Sequence, residues 1–160
     1  MSHQLDEYDQ RILQHLQSNG RLSNQELAEI IGLSTSQCSR RRIALEQSGM
    51  IMGYFAQLHP DAEQNPIMGM VEIKFSQYSP SVLEKFLQFI AHEPKICEVY
   101  KLTGRYDYLL KVAVADLSQI SLMINQLTAL NINISNFNTS IVLERVKENH
   151  HMMYSGVSNE

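Results

Sequence analysis

Tyr8, Ile12, Leu13 and Leu16 recur three and four positions apart, the spacing of a helix that buries one face; Asp6 stands ready to cap it and Ser18-Asn19-Gly20 to end it. A second stripe, Leu27, Ala28, Ile30 and Ile31, follows Ser23-Asn24-Gln25-Glu26 and stops at Gly32. Serine at a cap with Glu three residues later satisfies two orphan N–H groups reciprocally, and glycine supplies the left-handed residue that closes a helix. The same box recurs at Ser34 and Gln37, so a third helix is predicted from Thr35. At about 100° per residue, Cys38 and Leu45 share one side of it and Ser36, Arg40, Ile43 and Gln47 the other.

The rhythm changes after this helix. Residues 50–58 lose the helical period and become strand-like, and His59-Pro60-Asp61-Ala62-Glu63-Gln64-Asn65-Pro66 is a polar connection with two prolines. Beyond it, residues 67–75 read as a strand, and Ser79-Pro80 starts a helix with Val82, Leu83, Phe86, Leu87 and Ile90 on its apolar side. Residues 96–103 and 108–115 read as strands joined by the hairpin-length turn Gly104-Arg105-Tyr106-Asp107. Asp116 with Gln119 caps a helix carrying Ile120, Met123, Ile124, Leu127 and Leu130, and residues 137–146 close the set as a strand. The fold class is therefore α+β: a helix-turn-helix domain over residues 1–52, a strand and linker over 53–66, a β-α-β-β-α-β domain over 67–147, and a tail over 148–160.

Two capped helices meeting at a glycine turn, with a third before them, make a helix-turn-helix, whose last helix enters the major groove of double-stranded DNA. Ser34, Thr35, Ser36, Gln37, Ser39, Arg40, Arg41 and Arg42 form the predicted DNA-binding segment. Within it Ser36, Gln37 and Arg40 face base edges, while Arg41 and Arg42 sooner meet phosphate. An arginine triplet alone is usually a solvated face; the paired capped helices give it its meaning here. Residues 1–60 hold five Arg and no Lys against six Asp or Glu, so the basic character is local. Such a domain grips non-specific duplex weakly by itself, and dimerisation is expected to double its phosphate contacts.

One pair breaks the helical pattern. Arg42 lies about 40° from Cys38, on the packing side, while Ile43 points outward. Arg42 is expected to bury its methylene stem and carry its head to the edge. Ile43 is left to touch a thymine methyl or a neighbouring protein surface.

Composition bounds the remaining choices. The chain has 160 residues, 44% of them hydrophobic and 19% charged, with a net charge of −4, the profile of an ordinary globular protein. No apolar run reaches membrane-span length and the start is polar, so a cytoplasmic address without membrane association is expected. Cys38 and Cys97 have no partners at metal spacing and read as small core residues. The adjacent His150 and His151 lie in a polar tail where neighbouring side chains rarely converge on one ion, so no metal site is expected. Nucleophile elbow, phosphate-cradling glycine loop and clustered metal-ligand residues are all absent from the sequence, which argues against an enzyme. A helix-turn-helix used to bind protein rather than nucleic acid remains the alternative.

An ordered set of motifs then carries a resemblance. They are Leu5-Asp6-x-x-Asp9-x-x-Ile12-Leu13, Gly20-Arg21-Leu22-Ser23, Glu26-Leu27-Ala28, Gly32-Leu33-Ser34, Arg41, Leu45-Glu46-x-x-Gly49-x-Ile51-x-Gly53-Tyr54, Thr103-Gly104-x-x-Asp107-Tyr108-Leu109-Leu110 and Thr139-Ser140-Ile141-Val142-Leu143. From Leu5 to about Lys147 the chain resembles the Lrp/AsnC family of bacterial and archaeal transcriptional regulators. The resemblance implies a winged-helix-like DNA-binding domain and a ferredoxin-like domain for effector binding and oligomerisation. It also implies homodimers, often assembled into octamers, and no cofactor beyond a small amino-acid effector. By the same resemblance Thr103, Gly104, Arg105, Tyr106, Asp107 and Thr139 are the effector-binding candidates, with Asp107 pairing the ligand ammonium and Gly104 letting backbone N–H groups approach its carboxylate. Arg42 and Ile43 depart from the family pattern, which has an apolar residue and then a polar one there.

Overall fold

Each of the three N-terminal helices begins where a side chain caps it. The computed structural model describes residues 5–59, 62–148 and 151–152. Helix α1 (Glu7–Ser18) is boxed by Asp6, which accepts from Asp9 N at 2.8 Å while Asp9 Oδ2 accepts from Asp6 N at 3.3 Å. Ser23 and Glu26 box α2 (Asn24–Ile31), and Ser34 and Gln37 box α3 (Thr35–Gln47), as the sequence predicts. Gly32 ends α2 in the left-handed region at φ 81°, and Arg11 Nη1 and Nη2 each donate at 3.1 Å to the last carbonyls, Ile31 and Ile30.

These helices enclose Ile12, Leu16, Leu27, Ala28, Ile31, Cys38 and Leu45. Burying a large aliphatic side chain contributes roughly 1.5–3 kcal/mol, so the cluster suffices to hold three short helices that are marginal alone. The compact unit Met1–Gln57 has no strand among its described residues, whereas one was expected after α3. A strand needs a ladder partner and this segment has none in its own unit; Met52 and Phe55 stand 94% and 92% exposed.

The second unit, Leu58–Glu160, holds β1 (Ile67–Phe75), α4 (Pro80–His92), β2 (Ile96–Lys101), β3 (Tyr108–Val114), α5 (Ser118–Ala129) and β4 (Ile134–Ile141). The sheet order is β2-β3-β1-β4, antiparallel throughout, the split arrangement the sequence predicts. Both helices pack on one face. Val71, Ile73 and Phe75 alternate along β1 to meet Leu110 and Val112 of β3, Phe86 of α4, and Ile120, Met123 and Leu127 of α5. A Cβ on Gly69 would come within 3.0 Å of Ile120 Cδ1 and Val112 Cγ2, so α5 and β3 close over β1 at that residue.

Element ends differ from the sequence reading for local reasons. Strand β4 spans 134–141 rather than 137–146: Asn131 and Asn133 turn the chain at positive φ, Ile132 fills the core between them, and the ladder with β1 ends at Ile141 opposite Gly69, with one further bond from Val142 N to Met68 O at 2.9 Å. Leu87, expected on the apolar side of α4, is half exposed. Asp116 does not cap α5 itself but the turn before it, accepting from Ser118 N at 2.9 Å, with Leu117 in the cap position. Just after Arg145, whose two Nη atoms bond the Glu63 carboxylate, β5 (Lys147–Glu148) pairs with β6 (His151–Met152). Pro60, Asp61 and His150 lie outside the described residues, as does the side chain of His151. Among the described residues no helix is long and apolar enough to cross a membrane.

Candidate nucleic-acid interface and ligand site

Helix α3 has its rotation fixed by two of its three arginines. Arg41 Nη1 lies 2.7 Å from Asp9 Oδ1 and 2.8 Å from Asp6 Oδ2, with its guanidinium 5.4 Å from the Tyr8 ring. The hydrogen bond to Asp9 leads the interactions that raise the Arg41 pKa. Arg42 Nη1 donates to Leu22 O at 2.8 Å and Nε to Tyr54 Oη at 2.9 Å, the guanidinium lying 4.8 Å from the centre of the Tyr54 ring. Tyr54 Oη in turn donates to Glu46 Oε1 at 2.8 Å. Arg41 and Arg42, expected to meet phosphate, are both engaged within their own domain here, where carboxylates and a carbonyl offset the desolvation of their guanidiniums. Arg42 buries its stem as its helical angle requires, but its head bonds Leu22 rather than standing free at the edge.

The outer stripe is open. Thr35, Ser36, Gln37 and Arg40 are exposed and Ser39 is half-buried. Ser34 and Gln37 are partly engaged in the cap, Gln37 Oε1 accepting from Ser34 N at 3.0 Å, which leaves the Gln37 amide N–H groups outward. Arg40 and Arg21 make no side-chain hydrogen bond or ion pair among the described residues, and Ile43 is 48% exposed. Of the predicted DNA-binding residues, Ser36, Gln37 and Arg40 thus share one accessible surface, whereas Arg41 and Arg42 hold it in place. Asp9, buried at 3% exposure, and Tyr54 are the residues this site adds to the sequence reading. The Asp6-x-x-Asp9 spacing was the available sign of a box, but nothing in sequence pairs Asp9 with Arg41.

In the second unit the connection between β2 and β3 is pinned by Asp107. Its Oδ2 accepts from Phe75 N at 2.8 Å, its Oδ1 lies 3.0 Å from Lys74 Nζ, and its own N–H donates to Ile73 O at 2.8 Å. Burial raises the Asp107 pKa, but the Phe75 N–H and the Lys74 ammonium outweigh it and hold the carboxyl below its usual range. The Asp107 carboxylate, expected to pair a ligand ammonium, also fastens the loop onto β1. Thr103, Gly104 and Arg105 are exposed, Gly104 at φ 117° with open space about it; Tyr106 is half-buried, 5.5 Å from the Arg105 guanidinium. Thr139 pairs with Val71 from the far side of β1, two strands across and three residues along from Asp107, about 14 Å at strand spacings, so one chain does not bring it to the loop.

Two family models match the chain: a winged helix-turn-helix DNA-binding model over residues 5–52 and an Lrp/AsnC ligand-binding domain model over residues 68–152. A leucine-responsive regulatory protein of Haemophilus influenzae is 36% identical over 144 residues, 90% of this chain and 87% of that protein. One from Escherichia coli is 34% identical over 149 residues, 93% and 91% of the two chains. Among solved structures, an AsnC family transcriptional regulator from Agrobacterium tumefaciens is similar at TM-score 0.78 and 30% identity, covering 90% of this chain and 94% of its own. A transcriptional regulator from Neisseria meningitidis, solved in complex with L-Met, is similar at TM-score 0.77 and 31% identity, covering 91% and 94%.

Proposed function

The chain belongs to the Lrp/AsnC family of DNA-binding transcriptional regulators, and on that premise we propose that it reads specific duplex sequence through α3 and answers to a small amino acid at the 103–107 loop. The observation that carries the first half is the division of the arginines. Arg41 and Arg42 are engaged within the domain, and of the stripe they orient Ser36 and Gln37 bond Ser34 in the cap while Arg40 has no side-chain partner among the described residues, at the end of a recognition helix where base edges are met.

A homodimer supplies paired recognition helices, and its assembly into octamers is part of the same reading. The sheet face opposite α4 and α5 supports self-association: Met70, Leu109 and half-exposed Tyr100 lie on it, and neither helix of the unit covers it. For the effector, Thr103, the backbone around Gly104, and Arg105 suit an α-carboxylate, while Asp107 retains lone pairs for an ammonium after fastening the loop. Thr139 joins the site from another copy. The L-Met bound by the Neisseria protein supports a small amino acid as the ligand class. Binding one assembly state better than another then changes the spacing of paired α3 helices relative to half-sites, which makes the amino acid an allosteric effector. The protein works in the cytoplasm.

A thermal-shift screen of the amino acids, with mass measured in solution, tests this reading. One or a few should raise the melting temperature and shift the oligomer distribution together. A protein that none of them stabilises, or that binds one with no change in assembly or operator affinity, contradicts it.

A further inference from the structure

We propose that Ile43 is a sequence-determining residue that reads the C5 methyl group of a thymine in the major groove, an inference that rests on DNA binding by α3 and names one base it selects. Ile43 follows Arg40 by three residues and Ser36 by seven, so the three side chains lie along one line of the helix. Its rotation to the outside is not incidental. Arg42, the next residue back, is held inward by Leu22 O and Tyr54, and Arg41 by Asp6 and Asp9 on the other flank, so α3 cannot turn to bury Ile43 without breaking those bonds.

The surroundings favour an apolar contact in a groove over a phosphate contact at its rim. Ile43 is 48% exposed, and the core cluster of its domain does not include it. One turn further on, the Glu46 carboxylate, which would repel a phosphate, is turned to Tyr54 Oη and lies 3.4 Å from Arg42 Nε. In the major groove each base edge presents hydrogen-bonding groups, and the thymine methyl is the one feature that an aliphatic side chain matches without stranding a polar atom. With Arg40 suited to a guanine edge or a phosphate one turn back, the stripe would favour a thymine at a fixed offset from the Arg40 contact.

The test begins with the full chain and a randomised duplex pool. The highest-affinity selected site is then synthesised with each thymine replaced in turn by deoxyuridine, which removes only the methyl. At one thymine in each half-site the native protein should lose about three- to fivefold in affinity, the worth of one buried methyl. Ile43→Ser should bind the thymine and deoxyuridine sites equally, and Ile43→Val should keep the discrimination. Matching melting temperatures of the three proteins establish that Ile43→Ser is folded. If every deoxyuridine substitution affects Ile43→Ser as it affects the native chain, or none affects the native chain, the assignment is overturned while DNA binding stands. If the pool yields no enriched site, the DNA-reading function itself falls and Ile43 falls with it.

Discussion

Arg41 Nη1 stands 2.7 Å from Asp9 Oδ1, and Asp9 is 3% exposed in the first turn of α1. An ion pair of this kind ties the middle of the recognition helix to the start of the chain. Its rupture would remove an opposite charge from beside Asp9 where little water reaches it, while Asp6 stays 2.8 Å from Arg41. Asp9→Asn, which keeps shape but removes charge, is expected to destabilise the first unit by about 1–3 kcal/mol, measured by thermal unfolding followed by circular dichroism. Unchanged stability would mean that Arg41 is held by Asp6 alone.

Gly32 makes the turn between α2 and α3 at φ 81°, and a Cβ there would meet nothing within 4 Å. Gly32→Ala therefore carries a backbone cost alone, roughly 1–2 kcal/mol for placing an L side chain in the left-handed region. Chemical denaturation should show that loss with an unaltered denaturant slope; a neutral effect would show that the turn relaxes.

Asp107 makes the second unit acid-sensitive. Its folded pKa lies below the unfolded value of about 3.9, so its contribution is fully present above that pH and fades as pH falls through the lower folded value. Asp107→Asn should lower stability at neutral pH, flatten the pH dependence below about pH 4, and weaken amino-acid binding measured by calorimetry. Undiminished binding by a folded Asp107→Asn protein would separate the loop from the effector site.

Cys38 sits at 0% exposure in the helical core, and burial pushes its thiol pKa up despite the nearby Arg41 and Arg42. A disulfide-exchange reagent at neutral pH should leave Cys38 unmodified in the folded protein and reach it only on unfolding, as mass mapping of the modified peptides would show. Rapid modification in the native state would contradict the packing of α3.

The elements that announced themselves in the sequence are those whose signals are local. The boxes at Ser23 and Ser34, the glycine stop at Gly32 and the apolar stripes of α1, α2, α4 and α5 each depend on residues within a turn or two, and the helices stand where those patterns put them, with Tyr8, Ile30 and Leu87 exposed at the edges of their stripes. The strand expected across residues 50–58 was illegible for the opposite reason: alternation describes a surface, but a ladder needs a partner that the unit does not supply. Contacts across the chain escaped altogether. Nothing in the arginine triplet tells that Arg41 goes to Asp9, 32 residues away, or Arg42 to Leu22 O, whereas the helical angle alone left Arg40 outward. Asp107 was legible as a turn residue, yet its bonds to Phe75 N and Lys74 depend on β1 pairing with β3, a register no short motif encodes.

The salt dependence of duplex affinity, measured by gel shift on the full chain, tests most directly that α3 meets DNA with Arg40 outward and Arg41 inward. Affinity should fall steeply with salt, Arg40→Ala should reduce the logarithmic slope by about one, and Arg41→Ala should leave the slope unchanged while lowering the melting temperature. Binding indifferent to salt, or a slope reduced by Arg41→Ala and not by Arg40→Ala, would contradict the account.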